Sequence, residues 1–355
     1  MITDALIDPF GRKIDYLRIS VTDKCDFRCT YCMDEDVTFL SKEHVLSLEE
    51  IVHVAKTFIA MGTKHIRITG GEPLVRKNVL WALEQIANTE GLEELTITTN
   101  GSQLSKMAQN LFNVGVSRIN ISLDTLKADR FFALTRKNKF QQVIDGIEAA
   151  SKLPFKRLKI NSVMLKNHND DELYDLAKFA LDRNMDISFI EEMPLGVITD
   201  HNRAETYLSS DDVIDTLSEH YTLTPSDIKT GGPTRYYHVA GSNHKVGVIS
   251  PHSHNFCDTC NRIRLTVEGR LLLCLGNEHS KDLKGVIRSS MQQLKALECT
   301  SGSENPIALK NSAALESSKE LENAIIEALA LKPQQHHFNL DEAPQILRFM
   351  SATGG

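Results

Sequence analysis

The chain has 355 residues, 41% hydrophobic and 25% charged, with a formal net charge of −7. Such a composition fits an ordinary soluble protein with a full core, as one large α/β domain plus an extension or as two domains. The acidic balance argues against general nucleic-acid binding, and no apolar run is long enough to span a bilayer. The start, Met1-Ile2-Thr3-Asp4, has neither the basic residues nor the apolar stretch of a signal peptide, so the cytoplasm is the expected compartment.

In chain order, a first strand is expected at Tyr16–Val21, followed by Cys25, Cys29 and Cys32. A helix at Leu48–Met61 follows, with Ser47 as N-cap and Glu50 completing a capping box. The second strand, His65–Thr69, runs into Gly70-Gly71-Glu72-Pro73 and a helix at Val79–Asn88. The third, Leu95–Thr99, ends in Thr98-Thr99-Asn100-Gly101 before a helix at Ser102–Val114. The fourth, Arg118–Leu123, ends in Ser122-Leu123-Asp124, with a helix at Gln141–Leu153. Leu158–Val163, a helix at Asp170–Asn184 and Ile187–Ile190 complete the series. Strands alternating with single helices imply parallel βαβ units, here a partial (β/α)6 barrel of the TIM type. In such folds reactive groups collect at the C-terminal strand ends, where the cysteines and glycines fall.

After Leu195 the alternation stops, and Thr230-Gly231-Gly232-Pro233 reads as a loop. It divides the chain into a barrel domain, 1–230, and an α+β extension, 231–355, that closes the barrel's open side. Hairpins are expected at Arg235–Val239 with Lys245–Ser250, and at Arg262–Val267 with Arg270–Leu273. Helices are expected at Ser280–Leu297 and Ala313–Ala330, and the stretch from Lys332 to Gly355 reads as polar and loop-like.

Six of the seven cysteines form two sets of three: Cys25-x3-Cys29-x2-Cys32 and Cys257-x2-Cys260-x13-Cys274, leaving Cys299 as an ordinary helix-end residue. In a reducing compartment, clustered cysteines more often hold metal than form disulfides. Three thiolates suit an iron–sulfur cluster with one iron open to an outside ligand. The alternative is a sealed zinc site, completed by Asp26 or His44 in the first set and by His252 or His254 in the second. Gly70-Gly71 is either a tight turn or a place where a ligand approaches the backbone. Arg18, Arg67 and Lys159 each sit between apolar neighbours on a strand, and Arg262 and Arg264 share one face at i, i+2 spacing. Buried cations need partners: a carboxylate in the barrel wall, or a polyanionic ligand such as a triphosphate.

The CxxxCxxC triplet after the first strand, with Gly-Gly-Glu-Pro after the second, resembles the radical S-adenosylmethionine superfamily. The resemblance implies a [4Fe–4S] cluster on Cys25, Cys29 and Cys32, and S-adenosylmethionine contacts from Tyr31 (by its backbone), Gly71, Ser122 and Met193. The second set, in Phe256-Cys257-Asp258-Thr259-Cys260-Asn261-Arg262-Ile263-Arg264-Leu265-Thr266 and then Cys274, narrows it. With it, nearly the whole chain is similar to the GTP 3′,8-cyclase family, which opens molybdenum cofactor (molybdopterin) biosynthesis. That implies a second [4Fe–4S] cluster on Cys257, Cys260 and Cys274, with GTP contacts at Arg18, Arg67, Thr98, Lys159, Arg262 and Arg264. The implied reaction starts with reductive cleavage of S-adenosylmethionine, and the 5′-deoxyadenosyl radical takes hydrogen from C3′ of GTP. C3′ then closes on C8, and a final reduction, assisted by Arg262 or Arg264 as the catalytic arginines, gives 3′,8-cyclo-7,8-dihydro-GTP. The resemblance also implies a flavodoxin or ferredoxin as electron donor, a homodimer, hand-off to cyclic pyranopterin monophosphate synthase, and a Gly354-Gly355 tail reaching the active site. Two positions depart from the family pattern: His65 and Ser188 stand where basic residues are usual. His65 if protonated, or His244, Arg235 and Lys245, are candidates to replace that charge. The rivals are a two-cluster radical enzyme acting on peptides and a zinc-stabilised binding module.

Overall fold

The computed structural model describes residues 6–34, 36–196, 202–299, 319–340, 342 and 346–354. Six strands form the expected parallel array: β1 (Tyr16–Ser20), β2 (His65–Thr69), β3 (Glu94–Thr99), β4 (Arg118–Ser122), β5 (Arg157–Met164) and β6 (Asp186–Glu191). Crossing between them are α1 (Leu48–Ala60), α2 (Val79–Ala87), α3 (Leu104–Asn113), α4 (Ala128–Thr135), α5 (Phe140–Ser151) and α6 (Leu173–Leu181). The capping box that starts α1 is formed, with Ser47 N–H donating to Glu50 Oε2 at 2.7 Å and Glu50 N–H to Ser47 Oγ at 3.2 Å. A single 3-10 turn, Asp170–Glu172, precedes α6 where one continuous helix was expected.

The second half adds α7 (Arg203–Thr206), α8 (Ser210–Ser218), β7 (Leu223–Ser226), β8 (Arg235–Val239), β9 (Lys245–Ile249), β10 (Arg262–Leu265), β11 (Arg270–Leu272) and β12 (Ser280–Asp282). Then come α9 (Lys284–Cys299), α10, described over 319–329, and α11 (Met350–Thr353). Both expected hairpins are present, β8 with β9 and β10 with β11. Ser280–Asp282, expected as the start of a helix, is instead a strand antiparallel to β11. Of the helix expected at Ala313–Ala330, residues 313–318 lie outside the described residues.

All twelve strands belong to one sheet, ordered β12-β11-β10-β1-β2-β3-β4-β5-β6-β9-β8-β7. The C-terminal strands therefore extend both flanks of the six-strand array, with β10 parallel to β1 and β9 parallel to β6. The result is a partial barrel whose sheet stays open between β12 and β7.

Strand alternation sorts the two faces. Leu17, Ile19, Ile66, Ile68, Ile97, Ile119, Ile121, Ile160 and Ile187 are fully buried in the apolar core. The intervening positions carry polar side chains to the concave face. Register sets them in layers, Arg264–Arg18–Arg67–Thr96–Arg118–Arg157 in one and Ser122–Asn161–Ser188 in another.

Candidate active site

The concave face opens on a cavity lined by all six cysteines of the two sets. The first set follows β1, and its loop is held from β2. Gly71 N–H donates to Thr22 O at 2.8 Å and Glu72 N–H to Lys24 O at 2.9 Å. A Cβ on Gly71 would stand 2.5 Å from Lys24 O and 2.7 Å from Asp23 O. Glycine is needed there because the chain's own backbone approaches, and Gly71 lines the cavity as well.

Cys25 Sγ accepts from Phe27 N–H at 3.4 Å and from Asn100 Nδ2 at 3.8 Å. Burial pushes the Cys25 thiol up to about 12 against that Phe27 hydrogen bond, with Glu72 and Asp26 adding to the rise. Cys29 rises for the same first reason, with Cys32 and Cys25 adding to it. Glu72, fully buried, is itself pushed up to about 7 by burial against donors from Asn100, Leu74 and Thr99. Asp124 accepts from Tyr31 Oη at 2.6 Å and from Val163 N–H at 2.8 Å, and burial raises it to about 6.

In the second set burial raises Cys257 and Cys274, and Cys260 departs from them. At Cys260, burial would raise the thiol, but Arg262 and Lys332 outweigh it and bring it down to about 7. Arg262 Nη2 stands 4.0 Å and Lys332 Nζ 3.8 Å from Cys260 Sγ.

The side chains that would complete a zinc tetrahedron are engaged elsewhere. Asp26 accepts from Asn100, Ser102 and Lys139, and His44 Nδ1 bonds Ser41. His252 Nε2 bonds Glu192 O, and His254 faces Asp211. Among the described residues no three His, Cys, Asp or Glu side chains gather as ligands of one ion. An iron–sulfur cube is bound at its corners and asks for no such point, so two sets of three thiols on one cavity fit two clusters.

The cations divide into two kinds. Arg118 and Arg157 are in ion pairs, with Glu94 at 2.8 Å and Asp186 at 3.2 Å. Among the described residues Arg67, Lys159 and Arg264 have no carboxylate partner and are held by neutral groups. Asn120, with its amide oxygen turned to Arg67, accepts from both terminal nitrogens at 2.7 and 3.2 Å. Lys159 Nζ donates to Ser188 Oγ at 3.1 Å and Thr234 Oγ1 at 3.2 Å. Arg264 Nη1 donates to Gly354 O at 2.6 Å.

In register, Arg264, Arg18 and Arg67 stand side by side. Burial first, then Arg264 and Arg67, push Arg18 well below the usual arginine range, and burial with Arg262 and Arg67 lowers Arg264 to about 10. Burial also brings Lys159 down to about 8. A bank of like charges that lower one another's proton affinity is built for an anion.

Arg18, Arg67, Thr98, Lys159, Arg262, Arg264, Tyr31, Gly71, Ser122 and Met193 all line this same cavity. Among the described residues the Thr98 hydroxyl, buried there, has no hydrogen-bond partner. Gly354 is buried with φ +76°, and a Cβ on it would meet Thr69 Cγ2 at 2.6 Å; it packs on Thr69 and Arg264, two residues that line the cavity. Gly355 lies outside the described residues.

The suggested replacements for missing charge do not line the cavity. His65 stacks on Tyr16 at 5.9 Å, and His244 and Lys245 both meet Asp186, at the N-terminal end of β6. Arg235 reaches Ser250. Asn161 and Asn100 are among the lining residues outside the expected set. Asn161, two along from Lys159, has a buried Oδ1 with no partner among the described residues, and the β-strand period could have flagged it. Asn100, bonded to both Cys25 and Asp26, lay in a segment noted only as a strand end.

Two family models match the chain: the Radical SAM superfamily over residues 19–180 and Molybdenum Cofactor Synthesis C over 185–301. A GTP 3′,8-cyclase of Pseudomonas entomophila (strain L48) is 55% identical over 99% of this chain and 98% of its own. One of Pseudomonas syringae pv. syringae (strain B728a) is 53% identical over the whole of both. Among solved structures, Streptococcus suis SuiB bound to S-adenosylmethionine aligns with TM-score 0.58 at 15% identity, covering 77% of this chain and 64% of that one. The chain thus spans less than two thirds of SuiB, and that likeness speaks for the fold alone.

Proposed function

Since this chain belongs to the GTP 3′,8-cyclase family, we propose that its arginine bank binds the triphosphate of GTP, with an iron–sulfur cluster at each cysteine set. The reaction is the cyclisation of GTP by radical S-adenosylmethionine chemistry in molybdenum cofactor biosynthesis, and S-adenosylmethionine and an iron–sulfur cluster belong to it. When bound, the N-terminal cluster and S-adenosylmethionine supply an electron and a means of taking hydrogen from C3′ of GTP.

The chain's own residues bind, orient and enclose. Cys25, Cys29 and Cys32 hold the first cluster, and Tyr31, Gly71, Ser122 and Met193 receive S-adenosylmethionine. Cys257, Cys260 and Cys274 hold the second. Arg18, Arg67, Lys159 and Thr98 take the nucleotide from the β1–β5 side, Arg262 and Arg264 from β10. Ser188, where the family usually has an arginine, accepts from Lys159 Nζ, and this supports a rearranged set of phosphate contacts. Arg264, oriented by the tail carbonyl, and Arg262 are the candidates to assist the closing reduction. Residues 1–230 form the barrel with the first cluster, and 231–355 the extension with the second cluster and the Gly-Gly tail. We also infer an external flavodoxin or ferredoxin as electron donor, a homodimer, product passage to cyclic pyranopterin monophosphate synthase, and a cytoplasmic setting. Among the described residues no helix is long and apolar enough to cross a membrane.

The observation that carries this reading is the meeting of both cysteine sets and the five cations on one cavity. A peptide-acting radical enzyme has no use for a bank of buried arginines, and the relatives of 55% identity outweigh the fold likeness to SuiB. The test is anaerobic incubation with S-adenosylmethionine, GTP and a strong reductant. 5′-Deoxyadenosine should form only with GTP present, and formation indifferent to GTP would count against the cyclase. R262A or R264A that still yields cyclised product at the normal rate removes that arginine from the closing step.

A further inference from the structure

Lys332 follows α10 in a stretch of polar composition, yet it is only 3% exposed. Its Nζ donates to Leu273 O at 2.6 Å and Arg262 O at 3.0 Å and faces Cys260 Sγ at 3.8 Å. Three acceptors require three N–H bonds, which an ammonium has and a neutral amine lacks. The two carbonyls belong to residues beside Cys260 and Cys274, so the ammonium ties together the strand and hairpin that present those thiols. The backbone at this point is anchored as well. Arg12 donates to Pro333 O and Gln334 O, each at 2.7 Å, and to Cys257 O at 2.7 Å. Arg12 is itself held by Asp8, whose side chain is fully buried. The first cysteine set has other surroundings: Asp26, Glu72 and Asp124 add to the rise of its thiols, Lys139 is spent on Asp26, and Arg28 donates to the Cys25 and Phe27 carbonyls, each at 2.8 Å.

We infer that Lys332 is a fixed countercharge and positioning residue for the second cluster, stabilising its reduced form relative to that of the first cluster. The inference rests on the reading that Cys257, Cys260 and Cys274 hold a cluster. Reduction adds negative charge, so a cation held beside a ligating sulfur in a buried site favours the reduced state and raises the potential. A cluster flanked by carboxylates is driven the other way.

The full-length protein holding its clusters is titrated against potential under EPR, with S-adenosylmethionine added to move the first cluster's signal away from the second's. In K332M the second cluster's midpoint should fall, the reduced-to-oxidised ratio at fixed potential dropping about tenfold, or ~59 mV for a one-electron couple. The first cluster's midpoint should stay put, and K332R should restore most of the shift. If K332M holds no second cluster while K332R does, charge at this position is required for its assembly, which also supports the assignment. An unshifted midpoint in K332M, an equal shift in both clusters, or K332R failing as fully as K332M overturns it. Iron content separates the two premises. A wild-type protein with only about four irons per chain refutes the second cluster itself, whereas about eight irons with an unshifted K332M refutes only the role of Lys332.

Discussion

Lys159 lies 3% exposed among neutral partners, and burial lowers it from 10.5 to about 8. Tyr236 beside it is brought to about 8 as well, burial there being outweighed chiefly by Lys159, so the pair loses positive charge as pH rises through about 8 and GTP affinity should weaken with it. K159M should raise the KM for GTP about tenfold at pH 7, ~1.4 kcal/mol of binding, and flatten the pH dependence near 8. The sign for stability is opposite. Between about 8 and 10.5 the unfolded chain binds more protons at this site than the folded one, so the ligand-free protein gains stability across that window. K159M should lose that gain, as thermal unfolding at several pH values would reveal. At Gly71 the prediction is steric. G71A pushes a methyl into two backbone carbonyls of the first cysteine loop, and iron should fall to about half, the second cluster remaining. The cysteines and strand arginines were legible because their chemistry is local: short spacings, and charges between apolar neighbours. Lys332 was not, since a lysine in a polar stretch is buried only by partners distant in sequence.

Among the elements, the six strands of the array were read to within a residue or so at each end. Runs buried on the helix side by isoleucine and leucine have few other ways to fold. The short pieces of the second half were harder. Strand β7 contains Pro225 and sits at a sheet edge, where burial gives little pattern. Strand β12 was absorbed into the amphipathic start of α9. Helix α8 did carry a signal, the capping box of Ser209 and Asp212, and it was passed over. Strand pairing explains a division among the arginines that no periodicity reveals: Arg118 lies in the same layer as Arg67 but reaches Glu94. R118M should cost at the low end of about 3–5 kcal/mol, since the buried Glu94 loses its closest cation but keeps Lys156 at 3.7 Å. The double variant R118M/E94Q should recover part of the melting temperature. The KM for GTP should hold in both, because Arg118 does not line the cavity.

At the scale of the whole molecule, the side-by-side arginines lower one another's proton affinity, a repulsion that a bound anion would relieve. Inorganic tripolyphosphate should therefore stabilise the ligand-free protein, by ~2.7 kcal/mol at a hundredfold excess over its Kd. A melting-temperature rise that persists undiminished in R18A/R67A would mean the anion binds elsewhere. That both cysteine sets meet at one cavity could be read only through family resemblance, because it depends on β10 lying parallel to β1. The same pairing bears on how the chain is made. While the ribosome is still synthesising the barrel half, β1 has β2 on one side and an open edge on the other, which stays open until residues 262–265 emerge. Unpaired edges recruit other chains. A fragment that stops short of β10 should aggregate even though every βα unit of the barrel is intact, and the nascent protein should lean on chaperones until its last quarter is complete.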